Sequence, residues 1–363
     1  VSDAGFTPPP YPHDRLAGAK AKAEAHDGGM VDLSIGTPCD PPPEAVVAAL
    51  ASSGAERGYP FSVGGVAYRE AASHWLARRL GVSVDVGAIA ACVGTKEFVA
   101  TLPQWLRLRT PRRDTVLYPA VSYPTYAMGA VLAGCRPVPY ASLGEIAEDD
   151  AARALCLWVN SPGNPAGQVD DLDAVAAWGR DRGVPVCSDE CYVEFTWAGP
   201  PRTILASGTE GVLAVHSLSK RSNMAGVRAG FYAGDPEVVR YLSEVRKHVG
   251  LMVPGPVQHA AVAAWDDDEH VEAQRARYRE RLARFAEVLG ALGVHVPLPE
   301  GGFYLWAQAP DGDAWGFTER LAADGGCLVS PGDFYGEAAA GFVRVAMVQP
   351  TERLDLVARR LGV

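Results

Sequence analysis

At 363 residues, with 48% hydrophobic and 21% charged side chains, the chain has length for one large core and a smaller satellite, and its composition excludes disordered and fibrous classes. A formal net charge of −10 argues against nucleic acid as a main partner, and no apolar run reaches the roughly 18 residues of a transmembrane helix. Seven cysteines at scattered spacings fit neither a disulfide framework nor a metal pair, so they read as small buried hydrophobes and no metal is expected.

The start at Val1 has no basic segment followed by an apolar one, so a cytoplasmic location without membrane contact is the expectation. Residues 8–12, Pro-Pro-Pro-Tyr-Pro, predict an extended arm lying on another surface. Residues 31–38 read as a short strand ending at Gly36, and the prolines at 41–43 open a helix over 44–51. A Gly/Pro-rich loop over 59–65 precedes a helix over 67–80; its Tyr59 is either a contact residue or ordinary packing. Strands and helices then alternate: strand 88–93, turn 94–97, helix 98–106, strand 115–118, helix 123–132, strand 155–159, helix 172–182, and strands 184–187 and 212–215. Short apolar strands separated by helices predict an α/β doubly wound domain, a mostly parallel sheet flanked by helices on both faces.

Beyond residue 256 the chain turns helical. Tyr278, Leu282, Phe285, Leu289 and Leu292 recur at alternating spacings of four and three, one face of a long helix over 267–292 that Gly293 ends. A smaller α/β C-terminal unit follows: helix 315–323, strands 327–330 and 342–346, and helix 352–361. The expected division is an N-terminal arm with part of the small domain over 1–40, a large domain over 41–275 and a small domain over 276–363.

Polar residues gather at the predicted strand ends, where open α/β sheets bind ligands. Lys220 follows strand 212–215, with Ser217 and Ser219 before it and Arg228 in a glycine-bounded loop after it. Hydroxyls and a guanidinium around one amine suit a phosphate, and lysine amines form Schiff bases with carbonyls, which together point to pyridoxal phosphate; a solvated basic loop is the alternative. Gly94 and Thr95 form either a second phosphate cradle or a helix cap. Asn164 lies in a turn dense in Pro, Gly and Asn. Asp189 at a strand end suits a ring nitrogen, a cap or magnesium; a P-loop ATPase and a nicotinamide dehydrogenase are excluded by the absence of their glycine motifs. Arg344 alternates with Val343 and Val345 and is either an edge device or a clamp for a substrate carboxylate.

Gly94-Thr95-Lys96, Tyr123-Pro124, residues 160–167, Ser188 to Tyr192, Ser217 to Lys220, Arg228 and Arg344, in that order, resemble the pyridoxal-phosphate-dependent class I/II aminotransferases of fold type I over nearly the whole chain. Residues 94–97, 188–192, 245–254 and 331–336 resemble the actinobacterial N-succinyldiaminopimelate aminotransferases in particular. The resemblance implies that Lys220 carries the Schiff base and acts as base. It implies that Asp189 pairs with the pyridine nitrogen, that Asn164 and Tyr192 bond the phenolic oxygen, and that Tyr123 stacks on the ring. Thr95, Lys96, Ser217, Ser219 and Arg228, with Gly94, would surround the phosphate, and Arg344 the substrate α-carboxylate under Gly36. Tyr59 would reach the phosphate of a neighbouring subunit, making a homodimer with composite sites.

The implied activity is ping-pong transamination between amino and keto acids, N-succinyl-L,L-2,6-diaminopimelate with 2-oxoglutarate, in lysine synthesis. Arg246, Lys247 and His248, or the Phe334-Tyr335 loop, would meet the distal carboxylates, a solvated helix face being the alternative for the first three. Arg221 to Met224, after the lysine, depart from the smaller or more polar residues expected there. The competing expectations are an aminotransferase for aspartate or an aromatic amino acid and a pyridoxal-phosphate β-lyase. A transcription regulator with an aminotransferase-like sensor is not expected, since residues before Val31 give no room for a DNA-binding domain.

Overall fold

The computed structural model describes residues 5–363; Val1–Ala4, with which the expected 1–40 unit begins, lie outside the described residues. After the two-residue strand β1 (Val31–Asp32), the chain lays down β2 (Ile89–Cys92), β3 (Thr115–Pro119), β4 (Arg136–Tyr140), β5 (Ala154–Asn160), β6 (Val186–Asp189), β7 (Val212–Ser217) and β8 (Gly230–Gly234). These last seven form one sheet in the order β2-β8-β7-β6-β5-β3-β4. Pairs from β4 through β3, β5 and β6 to β7 are parallel, whereas β8 runs antiparallel to both β7 and β2. Every residue of β5, β6 and β7 is buried, because helices cover both faces. Phe98, Val99 and Leu102 of helix Thr95–Arg109 pack on one face against Val116 and Trp158. On the other, Trp75 of helix Val66–Leu80 and Trp265 of helix Gly255–Asp266 pack with Leu157, Val186 and Ala214.

Two strands of this sheet have no counterpart in the sequence reading. β4 contains Pro137 and Pro139, which remove ladder donors and are tolerated because β4 is an edge. β8 is bounded by Gly230 and Gly234; a Cβ on either would come within 2.5 Å of a β7 carbonyl oxygen, so the spacing there requires glycine. The expected turn at 94–97 is also shorter, since the helix already begins at Thr95.

Helix Glu269–Ala291 leads into a second core built on β9 (Tyr304–Gln308), β10 (Cys327–Leu328), β11 (Ser330–Pro331) and β12 (Phe342–Ala346). The expected strand 327–330 is two strands broken at Val329: β10 pairs with β1, while β11 pairs with β12. The expected strand 31–38 keeps only its first two residues, because Asp32 Oδ1 accepts from the N–H and hydroxyl of Ser34 and turns the chain. Val31 and Leu33 nonetheless join this core, beside Phe285, Leu305 and Val345. Among the described residues no helix is long and apolar enough to cross a membrane, and no group of three or more His, Cys, Asp or Glu side chains could hold a metal ion.

Helices Thr95–Arg109 and Thr125–Leu132 touch backbone to backbone at Gly129, where a Cβ would lie 2.9 Å from the Val99 carbonyl oxygen. Gly129→Ala should therefore destabilise the fold by about 1–3 kcal/mol, read as a lower midpoint of thermal or urea unfolding. An unchanged midpoint would mean that the helices separate without cost.

Candidate active site

The C-terminal ends of β5, β6 and β7 and the N-terminus of helix Thr95–Arg109 open into one cavity of about 380 Å³. Twelve of the expected site residues line it: Gly36, Thr95, Lys96, Tyr123, Asn164, Asp189, Tyr192, Ser217, Ser219, Lys220, Arg228 and Arg344. Gly94 stands just behind, and a Cβ there would lie 2.1 Å from Arg228 Nη2. Tyr59 is elsewhere, 97% exposed on the surface of this chain.

Lys220 sits on the one-turn helix Leu218–Arg221 that begins where β7 ends. Its partly buried ammonium donates to the Gly36 carbonyl oxygen. Burial pushes its pKa down from 10.5 to about 8, the Arg344 and Arg228 cations push the same way, and Asp189 opposes them. Asp189, at the end of β6, accepts from the Tyr126 hydroxyl at 2.9 Å and from the Cys191 N–H at 3.2 Å. Burial raises its carboxyl above the ordinary range, while these donors and Lys220 hold it back.

One wall forms an anion cradle. Thr95 opens a fifteen-residue helix, Ser217 ends β7 and Ser219 follows it, the Ser217 hydroxyl accepting from the Ser219 N–H at 3.0 Å. Arg228 adopts a left-handed conformation (φ 57°) and donates to the Ala225 carbonyl at 2.8 Å, with its guanidinium packed over Gly94. Lys96 instead faces the mouth, its ammonium 5.1 Å from the Tyr11 ring centre and 5.7 Å from that of Tyr123.

Opposite stands Arg344, buried on β12. It donates to Asn164 Oδ1 at 2.8 Å and to the Ser34 carbonyl at 2.6 Å, lies 4.2 Å from the Tyr304 ring centre, and has a buried Nε with no acceptor. Nη1 and Nη2 each keep a second N–H, donors of the kind a carboxylate accepts. The Tyr192 and Tyr304 hydroxyls share a 2.8 Å hydrogen bond. A Cβ on Gly36 would fall 2.0 Å from the Tyr304 hydroxyl, so this roof admits glycine alone.

Three expected contacts are not in the cavity. Arg246 is buried in helix Pro236–Val249, where both its terminal nitrogens bond Glu97 at 2.7 Å between Phe98 and Tyr232. Lys247 is solvated and pairs with Glu244 at 3.5 Å, and His248 is likewise exposed. The helix turns its charged stripe towards Glu97 and solvent, away from any substrate. Phe334 and Tyr335, the loop expected to meet a distal carboxylate, also line the cavity, whereas the sequence reading missed Tyr11, His13, Tyr126, Cys191 and Tyr304 there. Of these, Tyr126 had a local signal, its helical spacing of three from Tyr123.

A family model described as aminotransferase class I and II matches residues 28–361. The chain is 45% identical over 361 residues to the 4-dedimethylamino-4-oxo-anhydrotetracycline transaminase OxyQ of Streptomyces rimosus, covering 97% of this chain and 99% of that one. It is 34% identical to the LL-diaminopimelate aminotransferase of Desulforudis audaxviator, over 97% and 95% of the two chains. Among solved structures, an aminotransferase from Neisseria meningitidis superposes with a TM-score of 0.89 at 32% identity, covering 98% and 97%. A probable N-succinyldiaminopimelate aminotransferase from Thermus thermophilus superposes at 0.85 and 32%, covering 96% and 98%.

Because the Lys220 amine loses its proton near pH 8, its trapping by an aldehyde and borohydride should rise through about pH 8 in the empty protein, ahead of the surface lysines. The same shift makes the empty protein gain stability from about pH 8 to 10.5, since the unfolded lysine holds its proton longer than the folded one. Peptide mapping of the reduced adduct checks the first expectation; half-maximal trapping above pH 10 would refute it.

Proposed function

We propose that this chain, which belongs to the class I and II aminotransferases by its match over residues 28–361, transfers the amino group of N-succinyl-L,L-2,6-diaminopimelate to 2-oxoglutarate in lysine synthesis. The family acts on amino and keto acids and depends on pyridoxal phosphate, and the residues present fit that group. An amine of lowered pKa faces the cavity from Lys220, a carboxylate from Asp189, and an anion cradle too tight for a Cβ lies at Gly94 and Arg228. When bound, the cofactor supplies the electron sink for the bond broken at the substrate Cα.

The chain's own residues would do the rest. Thr95, Ser217, Ser219 and Arg228 would hold the phosphate, with Gly94 giving it room. Asp189, oriented by Tyr126 and Cys191, would keep the ring nitrogen protonated, Tyr123 would cover the ring, and Asn164 and Tyr192 would donate to the phenolic oxygen. Lys220 Nζ would accept the proton leaving the substrate Cα, a role suited to an amine that titrates near neutrality. Arg344 would clamp the α-carboxylate beneath Gly36, shielding the reacting bond from water. We read residues 41–275 as the cofactor-binding unit and 1–40 with 276–363 as the small unit that brings Arg344 to it. Tyr59, exposed on its own subunit, would complete the site of a partner, so the active species would be a homodimer.

The observation that carries the reading is the buried Arg344, which lines the same cavity as Lys220. Likeness to the Thermus thermophilus and Desulforudis audaxviator proteins supports a diaminopimelate-type donor. With Arg246 and Lys247 turned away, Lys96 between Tyr11 and Tyr123 is left to meet its distal carboxylate. The 45% identity to OxyQ favours a second reading, a ring ketone without an adjacent carboxylate, against the aromatic wall of Tyr11, Tyr123 and Tyr335.

Arg344→Lys separates the two readings. It should lower kcat/KM for every amino acid and leave a ring ketone little affected. Lys96→Met should cost the succinylated substrate about ten- to a hundredfold more than alanine, the value of one charge-assisted bond of about 1.5–3 kcal/mol. A wild-type preference for a ring ketone, aspartate or an aromatic amino acid over the succinylated compound would sink the narrow assignment. Lys220→Ala and Tyr59→Phe chains, each impaired alone, should regain activity when mixed; light scattering that shows a monomer would rule out the shared site.

A further inference from the structure

Two catalytic side chains are carried by elements too short to hold themselves. Lys220 rides on the four-residue helix Leu218–Arg221, and Tyr192 immediately precedes the three-residue 3-10 turn Val193–Phe195. One turn of helix has no stability of its own. Immediately beyond each catalytic residue lies half of a buried ion pair: Arg221 follows Lys220, and Glu194 is two residues past Tyr192. Both charged side chains are buried, 2% and 3% exposed, and Arg221 Nε donates to Glu194 Oε1 at 3.0 Å.

The pair is fully bonded on both sides. Arg221 Nη1 donates to the Ala264 carbonyl and to the Ser222 hydroxyl, and Nη2 to the Asp267 carbonyl at 3.1 Å and to Asp268 Oδ1 at 3.0 Å. Its guanidinium lies 5.3 Å from the Trp265 ring centre. Glu194 Oε1 also accepts from Trp75 Nε1 at 2.7 Å, and Oε2 from Arg79. Helix Val66–Leu80 and the start of helix Glu269–Ala291 are thereby clamped to one point behind the cavity. Neither Glu194 nor Arg221 lines that cavity.

We infer that the Glu194–Arg221 pair is a positioning device that fixes Lys220 and Tyr192 relative to each other, so that the reactive amine and the phenolic donor approach the same ligand from set directions. The inference rests on the reading of Lys220 as the reactive lysine. A guanidinium is needed because an ammonium cannot reach five acceptors in one plane. The arrangement also explains the large basic residue after the lysine, where the sequence alone leads one to expect a small or polar side chain.

The test uses the full-length holoenzyme and the variants Arg221→Lys and Glu194→Gln. The first readout is the pH at which the cofactor's absorbance titrates; the second is kcat against KM for the amino donor. Displacing the lysine should move the titration by at least about half a pH unit and lower kcat about ten- to a hundredfold, with KM changed less than about threefold. Arg281→Lys, which weakens another buried arginine pair, to Asp40, is the control for general loss of stability. Trp75→Phe, which removes one donor to Glu194 and keeps an aromatic ring, covers the case in which the ion-pair variants do not accumulate; a smaller shift in the same direction is expected. Folded, loaded variants that titrate and turn over like wild type overturn the inference, as does an equal shift in Arg281→Lys. Borohydride trapping of wild type on a lysine other than Lys220 would instead overturn the reading on which it rests.

Discussion

Burying cations against one another is the constraint on which this structure depends. Lys220, Arg228 and Arg344 face one cavity of about 380 Å³, with Lys96 at its mouth and Asp189 as the opposing carboxylate. Such an excess of positive charge is expensive away from water unless it is neutralised or partnered. The protein manages it by pushing the Lys220 amine towards its neutral form and by giving each guanidinium a backbone or amide acceptor. A phosphate beside Arg228 and a carboxylate beside Arg344, as proposed above, would offset that charge. In a chain of net charge −10, this local excess of cations is what selects anionic ligands.

The sheet makes that concentration of charge affordable. Asn160 of β5 and Asp189 of β6 lie side by side in parallel register, and Asn160 Nδ2 donates to the Asp189 carbonyl at 2.9 Å while its Oδ1 accepts from the Asn164 N–H at 2.8 Å. The turn that carries Asn164 is thereby tied to the strand that carries Asp189. Asn164 in turn accepts from Arg344, which arrives from the second sheet. One chain of hydrogen bonds runs from Asp189 to Arg344, crossing between the two cores. Movement of either sheet would be felt at both ends of a bound substrate.

Much of this was legible in residue order because strand ends concentrate polar residues after apolar runs. The runs that became β5, β6 and β7 could be read, and so could the lysine, aspartate and arginine just beyond them. What escaped reading was set by neighbours rather than by local pattern. β4 carries prolines that only its edge position excuses, and β8 depends on glycines that only the close approach of β7 requires. Arg246 looked like a surface cation on an amphipathic helix; its burial follows from Glu97, a residue 149 positions away that meets both of its terminal nitrogens. Tyr11 and Tyr304 reach the cavity from far-apart parts of the chain and carry no motif that marks them.

The same contrast bears on why relatives of this chain carry different substrate names. The groups that would act on the Cα–H bond come from the ends of buried strands and from Arg344, whose surroundings tolerate little change: a Cβ on Gly36, Gly94 or Gly230 would strike a neighbour at 2.0 to 2.5 Å. The mouth is built otherwise, from the N-terminal segment with Tyr11 and His13 and from Lys96, whose ring contacts include the 5.3 Å approach of His13 to Phe334 and the 5.1 Å approach of Lys96 to Tyr11. Ring contacts are less exacting than strand registers and accept replacement side chains at small cost. Substrate choice can therefore change at the mouth while the strand ends, and the transamination chemistry proposed for them, stay as they are.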